Sequence, residues 1–186
     1  MDVLESERLI LRPFKEDDLD DFYEYAKNPN VGPNAGWKPH DSKEESSEIL
    51  KEFMEKDEVW AIADRKTNRV IGSIGLHHDR KRDNKKAKML GYVLAEPYWG
   101  KGLATEAAKR VIQYAFEELE LDLLSVYHYP FNNRSKRVIE KCGFHYEGTI
   151  RGASTLYDGS VCDDVCYSMT RQEYISSKTM LFKTYY

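Results

Sequence analysis

The stretch that most constrains this chain runs from Gly91 to Ala108: Gly-Tyr-Val-Leu-Ala-Glu-Pro-Tyr-Trp-Gly-Lys-Gly-Leu-Ala-Thr-Glu-Ala-Ala. The run from Met89 to Ala95 predicts a buried strand. Pro97, Gly100 and Gly102 punctuate a tight turn, and a helix follows. A helix start leaves its first N–H groups without intrahelical partners, and glycines just before it let a ligand approach them closely. With the positive end of the helix dipole behind them, those N–H groups suit a phosphate. The turn lacks the lysine–serine/threonine ending of a P-loop, and Thr105 stands where a dinucleotide fold needs its third glycine. On the glycines alone, a plain tight turn is an equal reading.

The rest of the chain builds around that unit. Arg8–Pro13 predicts a first strand stopped by proline. Asp17–Lys27 predicts a helix, with Leu19, Phe22, Tyr23 and Ala26 on one side and acids in its first turn. Asn28–His40 carries three prolines and two glycines and reads as a loop. Trp37 within it either pins the loop to the body or lines an acceptor pocket. Ser42 with Glu45 suits a capping box, opening a helix to about Lys56. Val59–Asp64 and Val70–His77 read as paired strands. Asp79–Lys88 carries six lysines and arginines against two aspartates. It reads as a solvated hairpin tip or as a docking patch for an acidic acceptor. It is not expected to touch a phosphate at the glycine turn, because the eight residues from Lys88 to Glu96 span roughly 26 Å when extended.

After the turn, a helix is expected over Leu103–Leu119, with Ala107, Val111, Ala115 and Leu119 as its buried stripe. Leu123–Tyr129 predicts a strand ended by Pro130. Asn132 then caps a short helix reaching Cys142, with Gly143 as its stop. Phe144–Ile150 and Val161–Met169 suggest a final hairpin around Tyr157-Asp158-Gly159. The tail from Thr179 to Tyr186 is apolar and aromatic without periodicity, suited to packing on the body or on a second subunit. Monomer and homodimer both stay open. This order predicts an α+β fold, a mixed and largely antiparallel central sheet flanked by helices on both faces, as one domain over residues 1–186.

Composition narrows the class. With 186 residues, 41% of them hydrophobic, the chain can bury one substantial core. Its 28 basic and 32 acidic side chains leave a net charge of −4, unlike a nucleic-acid binder. Three irregularly spaced cysteines make no disulfide framework, and no run suits a signal peptide or membrane span. A cytoplasmic setting, with neither membrane nor nucleic acid as partner, is therefore expected. Cys162 and Cys166 share a strand face but lack further ligands, so no metal is expected.

Glu-Pro-Tyr-Trp-Gly-Lys-Gly-Leu-Ala-Thr-Glu-Ala closely resembles the acetyl-CoA pyrophosphate loop of the GNAT N-acetyltransferases. Their Gln/Arg-x-x-Gly-x-Gly/Ala signature falls on Trp99, Gly100, Lys101, Gly102, Leu103 and Ala104. Trp99 replaces the first residue, in the form typical of the branch that resembles the Rim-type ribosomal-protein N-terminal acetyltransferases. Asn132-Asn133-Arg134-Ser135 through Val138, Glu140-Lys141 and Gly143-Phe144 resembles the same family's Asn-x-x-Ser-x-x-Val-x-Glu-Lys-x-Gly-Phe. Glu147-Gly148 and Asp164–Ser168 match its closing pattern. The resemblance implies acetyl-CoA as cosubstrate, contacted by residues 99–105 including Thr105. It also implies a strand bulge near Val93 and Leu94 with an N–H free for an oxyanion, a bond from Asn132 to the pantetheine arm, and Ser135 near the sulfur.

Acyl transfer needs a neutral amine, a stabilised oxyanion and a protonated leaving thiolate, but no covalent enzyme intermediate. Ser135 is the expected catalytic residue, donating a proton toward the thiolate. A glutamate that many members of the wider branch carry on this strand, in Ala-Glu-Ile-Gly-Tyr, is missing from Lys88-Met89-Leu90-Gly91-Tyr92. Glu147, His128, His77 or a water remain as the base. The expected activity is acetyl transfer to a primary amine, with a ribosomal or other protein N-terminus as acceptor. The alternatives are a small-molecule amine (antibiotic, polyamine or amino acid) or a non-catalytic acyl-CoA-binding protein.

Overall fold

The computed structural model describes residues 1–183. In order they form β1 (Leu4–Glu5), β2 (Leu9–Pro13), α1 (Leu19–Ala26), α2 (Lys43–Lys56), β3 (Val59–Asp64), β4 (Val70–His78), β5 (Ala87–Leu94), α3 (Leu103–Glu117), β6 (Leu123–His128), α4 (Asn133–Lys141), β7 (His145–Thr155), β8 (Val161–Thr170) and α5 (Arg171–Lys183). The strands make one eight-stranded sheet, ordered β1-β2-β3-β4-β5-β6-β8-β7, in which β5–β6 is the parallel pair. Phe14, Phe22, Tyr25 and Leu50 bury α1 and α2 against Val59, Ala61 and Val70. Leu9, Leu11, Ile62, Ile74 and Leu90 point instead to the cluster that contains α3. The mixed, largely antiparallel sheet with helices on both faces is therefore as expected.

Local chemistry accounts for the element ends. The Ser42 hydroxyl accepts the Glu45 N–H at 3.1 Å, while the Glu45 carboxylate takes the N–H of Asp41, one residue before the expected partner. In α3 the stripe of Ala107, Val111 and Ala115 is buried, but Leu119 is 42% exposed. The helix ends at Glu117, and the chain reverses through Glu120 at a φ of 52°, so Leu121 takes the buried place expected of Leu119. Trp37 pins its loop, with its ring against Gly32 and 5.3 Å from that of His40. Two elements had no clear sequence signal. Strand β1 is two residues long, and α5 is held to α3 by stacking of Tyr174 on Phe116 at 5.0 Å. Residues 184–186 of the tail lie outside the described residues.

Three departures position the site. The β4–β5 ladder runs without a register shift from Gly72↔Leu94 to His78↔Lys88, so β5 has no bulge at Val93 and Leu94. The opening comes from the parallel pair instead. β5 and β6 share only Ala87↔Leu123, Lys88↔Leu124 and Met89↔Ser125 before parting, because β6 stays paired to β8 along its whole length. The Asp79–Lys88 connection is not a solvated tip at its start. Asp79 is 1% exposed and accepts from Lys81 N–H, Arg82 Nη1, Ser125 Oγ and Tyr127 Oη at 2.7 to 3.0 Å.

Candidate active site

A cavity of about 820 Å³ fills the cleft between the parting strands. Val93, Leu94, Trp99, Gly100, Gly102, Leu103, Ala104, Thr105, Asn132 and Ser135 line it. Lys101 does not, and its ammonium instead lies 5.4 Å from the Tyr98 ring centre.

At one end, Gly100 and Gly102 take φ values of 74° and 77°, and Gly102 caps α3. Only glycine adopts these angles without penalty, which leaves the helix N–H groups open to a ligand. Trp99 replaces the usual Gln or Arg with two contacts of its own. Its Nε1 donates to the Leu94 carbonyl at 2.7 Å, and the Arg134 guanidinium stacks 3.8 Å above its ring. Arg8 braces the turn from outside, donating to the Lys101 carbonyl at 3.0 Å and pairing with Glu106. Arg134, Arg137 and Lys141 on α4 line the same cavity. The i, i+3, i+7 spacing of those cations was the signal that could have found them.

At mid-cavity the Tyr92 phenol lies 2.9 Å from Ser135 Oγ and 3.2 Å from the Ser135 carbonyl. Burial pushes the Tyr92 pKa well above its usual range, with the hydrogen bond to Ser135 opposing, so the phenol stays protonated. Asn132 Oδ1 accepts the Ser135 N–H at 3.1 Å, and its Nδ2 donates to the Asn34 carbonyl at 2.9 Å. Asn132 therefore caps α4 and ties it to the 28–40 loop. The Ala95 N–H donates to Ile71 on β4 at 2.8 Å. Ladder alternation then sends the Val93 amide toward β4 and turns those of Tyr92 and Leu94 toward the cleft. Of the two expected oxyanion positions, Leu94 faces the cavity with its amide and Val93 does not.

The three expected bases part company. Glu147 is ion-paired to Arg82 and is off the cavity wall. His77 packs its ring against Gly75 and Gly91 with Glu58 at 3.9 Å, also off the wall, and burial lowers its pKa. His128 lines the cavity. Its Nδ1 donates to the Tyr129 carbonyl at 2.8 Å, leaving Nε2 as the basic nitrogen, enclosed and without a hydrogen-bonding partner. Met89, at the position expected of the branch's strand glutamate, lines the cavity as an apolar side chain. Among the described residues, no group of three or more His, Cys, Asp or Glu is arranged for a metal, and no helix is long and apolar enough to cross a membrane.

The far end is built from side chains. Asp164 on β8 is buried, with one carboxylate oxygen 2.6 Å from Lys81 Nζ and the other accepting from Ser154 Oγ at 2.8 Å. Lys81 also lies 4.7 Å from the Tyr127 ring centre. Arg80 and Tyr129 complete this wall.

The Acetyltransferase (GNAT) domain family matches residues 8–145. An N-acetyltransferase of Bacillus subtilis, YoaA, itself uncharacterized, is 29% identical over 175 residues, covering 91% of this chain and 97% of that protein. The crystal structure of a ribosomal-protein-S5-alanine acetyltransferase from Vibrio fischeri superposes with a TM-score of 0.74 at 22% identity, covering 92% of this chain and 97% of that one. A spermidine N-acetyltransferase chimera of Vibrio cholerae SpeG and hSSAT has the same TM-score, 0.74, at 20% identity, covering 91% and 99%. Likeness at that level shows the fold and leaves the acceptor open. The family match spans more than half of the chain and includes the glycine turn and α4. The chain belongs to the GNAT acetyltransferases, which use acetyl-CoA to acetylate an amine.

Proposed function

We propose that this enzyme acetylates the free α-amino group of a protein or peptide N-terminus. The observation that carries the reading is that the cavity offers no free carboxylate as a base among the described residues, only the enclosed His128 Nε2. Met89 stands in the place expected of the branch's strand glutamate, and the cavity's one carboxylate among the described residues, Asp164, has both oxygens engaged. An α-amine has a pKa of about 7.7–8.0 and lysine about 10.4, so at pH 7.5 roughly a third of α-amines are neutral against about one lysine in a thousand. Neutralising lysine to the same extent costs about 3.5 kcal/mol more, at about 1.36 kcal/mol per pKa unit. A site without a free carboxylate serves the α-amine through water more readily.

Acetyl-CoA supplies an activated acyl group as its thioester. The amides of Gly102–Thr105, with Arg134, are suited to its phosphates, and the amides of Tyr92 and Leu94 to the polar groups of the arm and the oxyanion. Tyr92 Oη donates to the Ser135 carbonyl and lies 2.9 Å from Ser135 Oγ, a pair in which either hydroxyl can donate, so Tyr92 positions the serine hydroxyl for the leaving sulfur. A thiolate with a conjugate-acid pKa near 8.5 is far less basic than an alkoxide, so Ser135 stabilises it chiefly as a hydrogen-bond donor. The amine attacks the acyl carbon, the carbon–sulfur bond breaks, and the proton from nitrogen leaves to water or to His128 Nε2.

Two peptides test the reading: one with a free N-terminal serine and no lysine, the other N-terminally blocked with a single lysine. Faster acetylation of the first is expected. Faster acetylation of the second overturns it. Turnover of a polyamine or aminoglycoside with neither peptide acetylated establishes a small-molecule enzyme instead.

A further inference from the structure

We propose that the far end of the cavity selects an acceptor with negative charge beside its reacting amine, namely an N-terminus followed by acidic residues. The inference rests on the N-terminal reading above and adds the chemistry of the residues that follow the amine.

The first observation is rigidity. The buried Asp79 gathers the Lys81 N–H, the Arg82 guanidinium, the Ser125 hydroxyl and the Tyr127 phenol. Those bonds fasten the start of the β4–β5 connection to β6 and set Arg80 and Lys81 at the cavity wall. A buried carboxylate with all these donors makes a fixed corner rather than a solvated tip.

The second observation is charge. Lys81 is matched by Asp164, and Arg82 by Asp79 and Glu147. Arg80 has no carboxylate within ion-pair distance among the described residues. The other cations on the wall, Arg134, Arg137 and Lys141, come from α4, and Arg134 stacks beside the glycine turn. On the cavity wall itself Arg80 and Lys81 face Asp164 alone, which leaves one unmatched positive charge there, while Arg82 behind the wall is outnumbered by Asp79 and Glu147. An acceptor arrives mainly as an ammonium ion and is repelled by this corner. A carboxylate one or two residues along the peptide reverses that repulsion, because complementary charge acts on both encounter and register. Exposure keeps the effect moderate and sensitive to salt.

Three peptides with free N-termini and a common remainder without other amines, beginning Ser-Glu-Glu, Ser-Ala-Ala and Ser-Arg-Arg, provide the test. At low ionic strength kcat/KM should fall in that order, by roughly tenfold from first to last, and the spread should shrink in 0.5 M salt. In Arg80→Glu the order should flatten or reverse, with acetyl-CoA affinity unchanged by calorimetry. Equal rates for the three peptides, or a preference for Ser-Arg-Arg, overturn the charge selection and leave the N-terminal reading standing. No turnover of any peptide, with a small amine acetylated, overturns the N-terminal reading and this inference with it.

Discussion

The two ends of the cavity are built from different materials. The glycine-turn end is made by consecutive residues: two glycines at positive φ, a helix start, and Trp99 closing onto the strand five residues earlier. The far end is made by side chains brought together from afar, Lys81 and Asp164 being 83 positions apart in sequence and Asp79 and Ser125 46. Backbone N–H groups offer the same donors whatever the side chains are, so the first end suits a ligand part common to a whole family. Side chains can change one at a time, so the second end is the one suited to telling acceptors apart.

The sharpest break of this comparison is Gly102→Glu, which should abolish acetyl-CoA binding in calorimetry by bringing a carboxylate to a phosphate site. Gly102→Ala separates geometry from charge. The nearest atom to an added Cβ is Arg8 Nη2 at 3.7 Å, so there is space, and only the left-handed backbone is penalised, by about 1–2 kcal/mol. If Gly102→Glu binds normally, the phosphate assignment fails.

At mid-cavity, Ser135→Ala should lower kcat by about 10²–10³-fold, as for one lost donor to a developing anion, with little change in KM for acetyl-CoA. Tyr92→Phe should lower it less. Because Tyr92 is placed to act through Ser135, the double variant should be no slower than Ser135→Ala alone. Additive losses would make Tyr92 a packing residue only.

Asp79→Ala should act on the far end and on stability. Removing a buried, paired carboxylate leaves Arg82 short of a partner and should lower stability by about 3–5 kcal/mol, read by denaturant unfolding. Acetyl-CoA affinity, measured where the variant is folded, should stay near that of the parent. Burial raises the pKa of Asp79, but hydrogen bonds from Tyr127, Arg82, Lys81 and Ser125 together carry it below its ordinary value of 3.8. Its contribution is therefore present above that value and is lost as pH falls through the lower folded value, so the variant should lose less stability over that acid range than the parent.

The smallest effect belongs to Lys101→Ala. Its side chain is off the cavity wall, and at most a single exposed ionic contact of roughly 0.2–1 kcal/mol is removed. A larger loss of acetyl-CoA affinity would show that the turn works through its lysine as well as its backbone.

Local patterns carried much of the fold. Short apolar runs marked the strands, Ser42 and Asn132 marked helix starts, and the glycines marked the turn before α3. They could not show that α3 stops at Glu117, because an exposed Leu119 and a buried one look alike along a helical repeat. Nor could they show α5, which has no clear amphipathic pattern and takes its place from Phe116 beneath Tyr174.

What the sequence by itself determined was the strand–turn–helix unit, the Asn132–Ser135 cap and the absence of a carboxylate at Met89. Each depends on residues close in the chain, where backbone geometry and hydrogen-bonding reach are set locally. Only the tertiary structure decided that Tyr92 meets Ser135, that His128 rather than Glu147 or His77 lines the cavity, and that Lys81 faces Asp164. Those meetings follow from the parting of β5 from β6 and from β8 lying between β6 and β7. Strand order and the point of parting are set by packing across the whole sheet, which no short-range pattern encodes.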